Sequence, residues 1–87
     1  MITNIEGRIL SRNKDNLVIS LGGLGIKVFV PASLLPQARP GEPVFLHTHL
    51  HVREQELALY GFAEAQDLDL FEMLLGVSGI GPKSALA

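Results

Sequence analysis

Apolar and polar residues alternate through the first two thirds of the chain, and that period predicts short strands. Residues 1–10 alternate loosely, with Ile5 and Ile9 flanking Gly7, a glycine that predicts a bulge or bend in the first strand. Residues 12–16 are polar and contain Asn and Asp, so they form a turn. Residues 17–21 are a short β-rich run, 22–25 reverse the chain through three glycines, and 26–30 return with period two. These three segments predict an antiparallel meander. Pro31 ends the third strand, Ser33 is the expected cap of a single helical turn through Leu34 and Leu35, and Pro36 closes it. The cluster Arg39-Pro40-Gly41-Glu42-Pro43 turns the chain back into strand.

Alternation is clearest over 44–52. Val44, Leu46, Thr48, Leu50 and Val52 share one face, while Phe45, His47, His49 and His51 share the other. Arg53, Glu54, Gln55 and Glu56 follow. They include no Gly or Asn, so the expectation is a protruding polar loop, longer than a two-residue turn of the favoured kind. Residues 57–62 return as a fifth strand, with Leu57, Leu59 and Gly61 on one face and Ala58, Tyr60 and Phe62 on the other. Five short strands with a helical turn before the fourth suit a small closed barrel of the OB type.

The period changes over 63–76. Leu68, Phe71 and Leu75 fall at helical spacing, Leu70 and Leu74 extend the stripe, and Asp69 and Glu72 face away. Early acids Glu64 and Asp67 suit a helix N-terminus. Gly79 and Gly81 break this helix, and Pro82 stands where a second helix begins. The sequence therefore reads as helix, tight hairpin, helix. The fold class is mainly β: a five-stranded OB-fold barrel over 1–63, then the beginning of a helix-hairpin-helix unit over 64–87. The second helix is too short to complete a folded unit, so the sequence reads as a piece of a longer protein.

Composition sharpens this picture. Apolar residues make up 47% of the 87 residues and charged residues 18%, against about 25% charged in typical soluble domains. Part of the apolar surface is therefore expected in a subunit interface, the alternative being a plain hydrophobic core. There is no cysteine, which points to a reducing, cytoplasmic setting or at least to no dependence on disulfides. The N-terminal residues lack the pattern of a signal peptide, and no apolar run is long enough to span a membrane. The net charge of −2 excludes a uniformly basic nucleic-acid binder but leaves room for one basic face.

Three stretches carry candidate chemistry. In the hairpin Ser78, Gly79, Ile80 and Gly81, glycines expose backbone N–H groups, the second helix adds its positive end, and Lys83 adds a charge. Together they suit an anion, most simply a phosphate, although a ligand-free helix–helix turn uses the same residues. The glycines at 22–25 lack the spacing of a phosphate-binding loop, and no helix follows them, so they read as hairpin punctuation. His47, His49 and His51 invite a metal, but neighbours along the strand stand about 6.6 Å apart and no Cys or paired carboxylate completes a set. No metal, no cofactor and no catalytic residues are expected.

Gly22-Gly23-Leu24-Gly25, Thr48-His49, Val52-Arg53-Glu54, Leu59-Tyr60-Gly61-Phe62, Leu70-Phe71 and Gly79-Ile80-Gly81-Pro82-Lys83, in that order and at those intervals, resemble the RuvA family. These are bacterial proteins that bind Holliday junctions and work with the RuvB motor. The resemblance implies an OB-fold domain, a domain with two helix-hairpin-helix motifs, and a C-terminal domain that contacts RuvB; only the first and the start of the second lie in this sequence. It implies homotetramers around a fourfold axis (octamers on DNA being a further possibility), four-way junction DNA as the partner, and a bacterial cytoplasmic location without membrane contact. It also makes the tip at Glu54, Gln55 and Glu56 an acidic pin at the junction centre. Glu54 matches the first acid of a pair, whereas Gln55 stands where a second acid is common, followed by Glu56.

The expected function is therefore a non-catalytic subunit that holds a four-way junction open for an ATP-driven partner. Two alternatives remain at this stage: a general single-strand-binding OB module, which needs exposed aromatics to stack on bases, and a module that only oligomerises.

Overall fold

The computed structural model describes residues 1–86. The alternating segments become β1 (Asn4–Arg12), β2 (Asn16–Leu21), β3 (Leu24–Phe29), β4 (Pro43–Arg53) and β5 (Glu56–Phe62). A 3-10 helix, Ala32–Gln37, lies between β3 and β4, and the chain then forms α1 (Ala65–Leu75) and α2 (Pro82–Leu86). The strands close a barrel in the order β1-β2-β3-β5-β4, as expected for an OB-fold.

Closure depends on β1. Its first half pairs with β4 (Asn4↔His47 through Arg8↔Pro43) and its second half with β2. The strand therefore has to bend, and the register shifts between Ile9 and Ser11. This places the expected bulge at Leu10. Gly7 has another role: a Cβ there would run into the Ser20 carbonyl oxygen and lie 2.9 Å from both Ile19 Cγ2 and Leu21 Cδ2. Gly7 thus permits the close approach of β2 across the bend. The last seam is a single parallel pair, Phe29↔Tyr60, between β3 and β5.

Inward positions fill the barrel. Leu17, Ile19, Val28 and Leu46 are fully buried, with Ile5, Ile9, Val30 and Leu59 beside them. Each such side chain contributes about 1.5–3 kcal/mol relative to exposure. Leu34 and Leu35 of the 3-10 helix pack against this core. Ser33 does not cap that helix. It already lies inside it, and the flanking residue is Pro31 in extended conformation with no side-chain cap bond. Pro36 is also internal rather than terminal. The turn is closed by Leu34 N–H donating to Pro31 O and Ala38 N–H donating to Leu35 O.

β5 is apolar on both faces, and each face serves a different core. Leu59 points into the barrel, and a Cβ on Gly61 would lie 2.7 Å from Val28 Cγ1. Ala58, Tyr60 and Phe62 point outward and meet Phe71 of α1 and Ala85 of α2. Phe71 is buried, with its ring 5.3 Å from Tyr60 and 5.0 Å from Phe62 between centroids. Leu68, Leu74 and Leu75 support this second core, but Leu70 is 55% exposed and lies outside the stripe. The reason is geometric: Phe71 occupies the centre of the face that α1 presents to β5, and the residue before it on a helix points about 100° away. β3 and β5 run parallel, so the 3-10 helix that follows β3 covers the barrel end where β5 finishes. The β4–β5 turn lies at the opposite end.

Candidate nucleic-acid interface

The acidic tip is shorter than the sequence predicts. Arg53 pairs with Glu56, and Glu54 and Gln55 alone make the turn. No non-glycine residue among those described has positive φ, so this is not the primed turn that asparagine or glycine would build. Register is fixed below the turn instead, by an unbroken antiparallel ladder from His47↔Phe62 to Arg53↔Glu56. This ladder runs past the barrel. Val52 and Leu57 face each other at positions in phase with the barrel interior, yet they are 60% and 68% exposed. The tip thus projects on a hairpin whose apolar inner face has left the core.

Glu54, Gln55 and Glu56 are all exposed. The neighbouring cation does not neutralise them. Arg53 Nε donates to His51 Nε2 at 2.8 Å, back along the strand and away from the turn. Among the described residues neither Glu54 nor Glu56 has an ion-pair partner. The tip is therefore a small, solvated concentration of negative charge.

The glycine hairpin is built differently. Gly76 ends α1, its N–H donating to Met73 O, and Val77 N–H donates to Leu74 O. Gly79 has φ +87°, a conformation that favours glycine, with open space where a Cβ would stand. Ile80 packs into the second core between the two glycines, and Pro82 is buried at the start of α2. Ile80 N–H donates to Val77 O at 3.2 Å, and Ala85 N–H donates to Gly81 O at 3.0 Å. Among the described residues the N–H groups of Ser78, Gly79 and Gly81 donate to no backbone or side-chain acceptor. The hairpin therefore combines an anchored apolar side chain with three backbone donors available to an outside acceptor.

Lys83 is engaged elsewhere. Its Nζ donates to Asp15 Oδ2 at 3.1 Å and lies 4.3 Å from the centroid of the Phe29 ring. Asp15 belongs to the β1–β2 turn. Its carboxyl pKa lies below the ordinary aspartate value, first because the Asn16 amide donates to it and then because of Lys83. Burial pushes the Tyr60 phenol up, against the opposing pull of the Lys83 charge. Neither Asp15 nor Phe29 was visible as a partner of the hairpin in the sequence. They are far from Lys83 along the chain, and Asp15 reads simply as a turn residue.

The three histidines lie on the face that α1 partly covers. His49 Nδ1 meets Glu72 Oε2 at 2.9 Å, joining β4 to α1. The His49 ring packs edge-on to Phe71 at 5.7 Å and the His51 ring edge-on to Tyr60 at 6.4 Å. The described residues hold no group of three side chains suited to a metal. Tyr60, Phe62 and Phe71 are buried together, and Phe29 is half-buried against Tyr60. Tyr60, Phe62 and Phe71 are thus unavailable as a platform for stacking bases, whereas Phe45 is exposed. Among the described residues no helix is long and apolar enough to cross a membrane.

Comparison with known proteins agrees with this architecture. Residues 1–61 match the family described as the RuvA N terminal domain. Proteins named Holliday junction branch migration complex subunit RuvA are similar along the whole chain. The one from Natranaerobius thermophilus is 46% identical over 88 residues, that from Chloroflexus aggregans 48% over 88, and that from Thermus thermophilus 42% over 87. All of this chain is covered in each case, together with 41%, 45% and 46% of those relatives. The chain thus spans less than half of their length.

Proposed function

The chain belongs to the RuvA family, and from that premise we propose that the protein is the four-way-junction-binding subunit of a branch migration complex. The observation that carries this reading is the double use of β5. One end of the strand bears the acidic tip, and its outer face anchors the helix pair that carries the glycine hairpin. A repulsive point and an attractive loop therefore belong to one packed body.

Their roles follow from their chemistry. The N–H groups of Ser78, Gly79 and Gly81, with Lys83 nearby, donate to phosphate oxygens of a duplex arm. Such contacts position DNA without reading its sequence, and they weaken as salt rises. Ile80 sets the height of the loop by packing beneath it. Glu54 and Glu56 act in the opposite sense, repelling phosphates so that the strands stay apart as they cross. Gln55 occupies the turn without charge. Residues 1–63 serve as the oligomerisation and junction-centre unit, and 64–87 as the first part of the DNA-gripping unit.

Repetition around a fourfold axis in a homotetramer would bring four tips to the centre of a four-way junction. Exposed Val52 and Leu57, next to the tip, fit a contact between such copies. In this reading the subunit is non-catalytic and cytoplasmic. The ATPase resides in a RuvB partner, bound through a part of the protein outside this sequence. Competition between a synthetic four-way junction, a linear duplex and a single strand of equal length tests the proposal. The junction should win, and a preference for the single strand would replace this reading with a general single-strand binder.

A further inference from the structure

The contact between Lys83 and Asp15 gives the proposed DNA site an internal competitor. Lys83 stands in the first turn of α2, next to the glycine loop, yet its ammonium lies against the β1–β2 turn of the barrel, with Asp15 Oδ2 at 3.1 Å and the Phe29 ring 4.3 Å away. The pair is partly solvated, with side-chain exposures of 65% and 49%. Asp15 is itself held in place. Its backbone oxygen accepts from Val30 N–H at 3.2 Å, and its Oδ1 accepts from the Asn16 side chain at 2.8 Å. Asn16 is buried and also accepts from the Asn13 side chain through its Oδ1. The carboxylate is therefore presented by a structured turn and is not a wandering surface charge.

We infer that Asp15 is the intramolecular counter-ion that Lys83 exchanges for a DNA phosphate. This inference rests on the proposed function, and it adds a residue of the barrel that tunes the grip of the hairpin. A carboxylate and a phosphate oxygen offer the same ammonium the same kind of charge-assisted bond. An exposed pair of this kind is weak, so a phosphate can displace it. Until it does, Asp15 keeps Lys83 folded over Phe29 and cancels its charge. An aspartate carboxyl is ionised at neutral pH, where the exchange operates. No other ion pair is seen at Lys83 among the described residues.

The test is binding of a synthetic four-way junction to the full-length protein, measured across a salt series. Asp15→Asn should bind about two- to fivefold more tightly at low salt, the range that follows from releasing one exposed ion pair, and the gain should shrink as salt screens it. In a Lys83→Met background the same substitution should change nothing, which separates exchange at Lys83 from a general loss of negative charge. Unchanged or weaker binding by Asp15→Asn, or a gain that survives in the Lys83→Met background, overturns the inference. A second readout needs no variant. The Lys83 side-chain protons nearest Nζ, lying over the Phe29 ring, should resonate upfield in the free protein and return to an ordinary lysine position when junction is added; an upfield shift that persists at saturation contradicts the exchange. Failure of wild-type protein to bind any junction would remove both the proposed function and the exchange. Normal junction binding with a silent Asp15→Asn removes the exchange alone.

Discussion

The acidic tip and the glycine hairpin are both surface turns, but they are held by different forces. The tip is fixed by backbone pairing: a two-residue turn closes a long antiparallel ladder, and the apolar pair beneath it, Val52 and Leu57, is exposed. The hairpin is fixed by packing: Ile80, Pro82 and Ala85 join an aromatic cluster around Phe71 on the outer face of β5. A turn that buries nothing can change its side chains at little cost to the fold. A turn seated on a core cannot. This difference leaves the tip free to carry charge, while the hairpin presents bare backbone at a fixed height.

The hairpin's seat is most sensitive at Phe71. Phe71→Ala should cost about 3–5 kcal/mol, the range for removing a buried aromatic side chain, and chemical denaturation will measure it. If the second core is what seats the hairpin, amide exchange at residues 76–81 should also accelerate beyond that of the barrel strands. Gly79→Ala comes next. Forcing a side chain into φ +87° should cost about 1–2 kcal/mol, read as a lowered melting temperature, although nothing crowds the new methyl group. His49→Ala should have a smaller effect, about 1 kcal/mol, because it removes one partly exposed hydrogen bond between β4 and α1. Replacing both Glu54 and Glu56 by Gln should stay within about 0.5 kcal/mol of wild type. A large loss there would mean that the tip is packed after all.

A pH series sharpens the same contrast at the clamp on α2. The Asp15 carboxyl is depressed in the folded protein. A depressed carboxyl contributes stability that is fully present above the ordinary aspartate pKa, about 3.9, and is lost as pH falls through the lower folded value. The stability difference between wild type and Asp15→Asn should therefore be constant around neutrality and close in acid. A difference that widened in acid would reverse the sign of the assignment.

Strand positions and helix starts were legible because they depend on local pattern. The alternation over residues 44–52 put Leu46 and Thr48 on one face, and both are buried. Pro82 marked the first residue of α2. Features that depend on distant partners were harder to read. The second core was written into β5 as apolar residues on both faces, Leu59 inward and Ala58, Tyr60 and Phe62 outward, the pattern of a strand covered on both sides. The tip reads as a slightly longer loop because its composition lacks turn-formers, yet the ladder below it imposes a two-residue turn. The Asp15–Lys83 contact left no local trace, since neither residue's surroundings in sequence point to the other. Glycine pattern shows that the hairpin is open, and only packing shows that Ile80 anchors it.

In the proposed function the two turns act on DNA in opposite directions, the hairpin by attraction and the tip by repulsion. The most direct measurement is the affinity of the full-length protein carrying both Glu54→Gln and Glu56→Gln for a four-way junction, set beside its rate of branch migration with the motor partner. Repulsion predicts an affinity equal to or higher than that of wild type, together with altered migration. A clear loss of junction affinity in this variant, with the fold intact, would show that the tip holds DNA and would contradict the account.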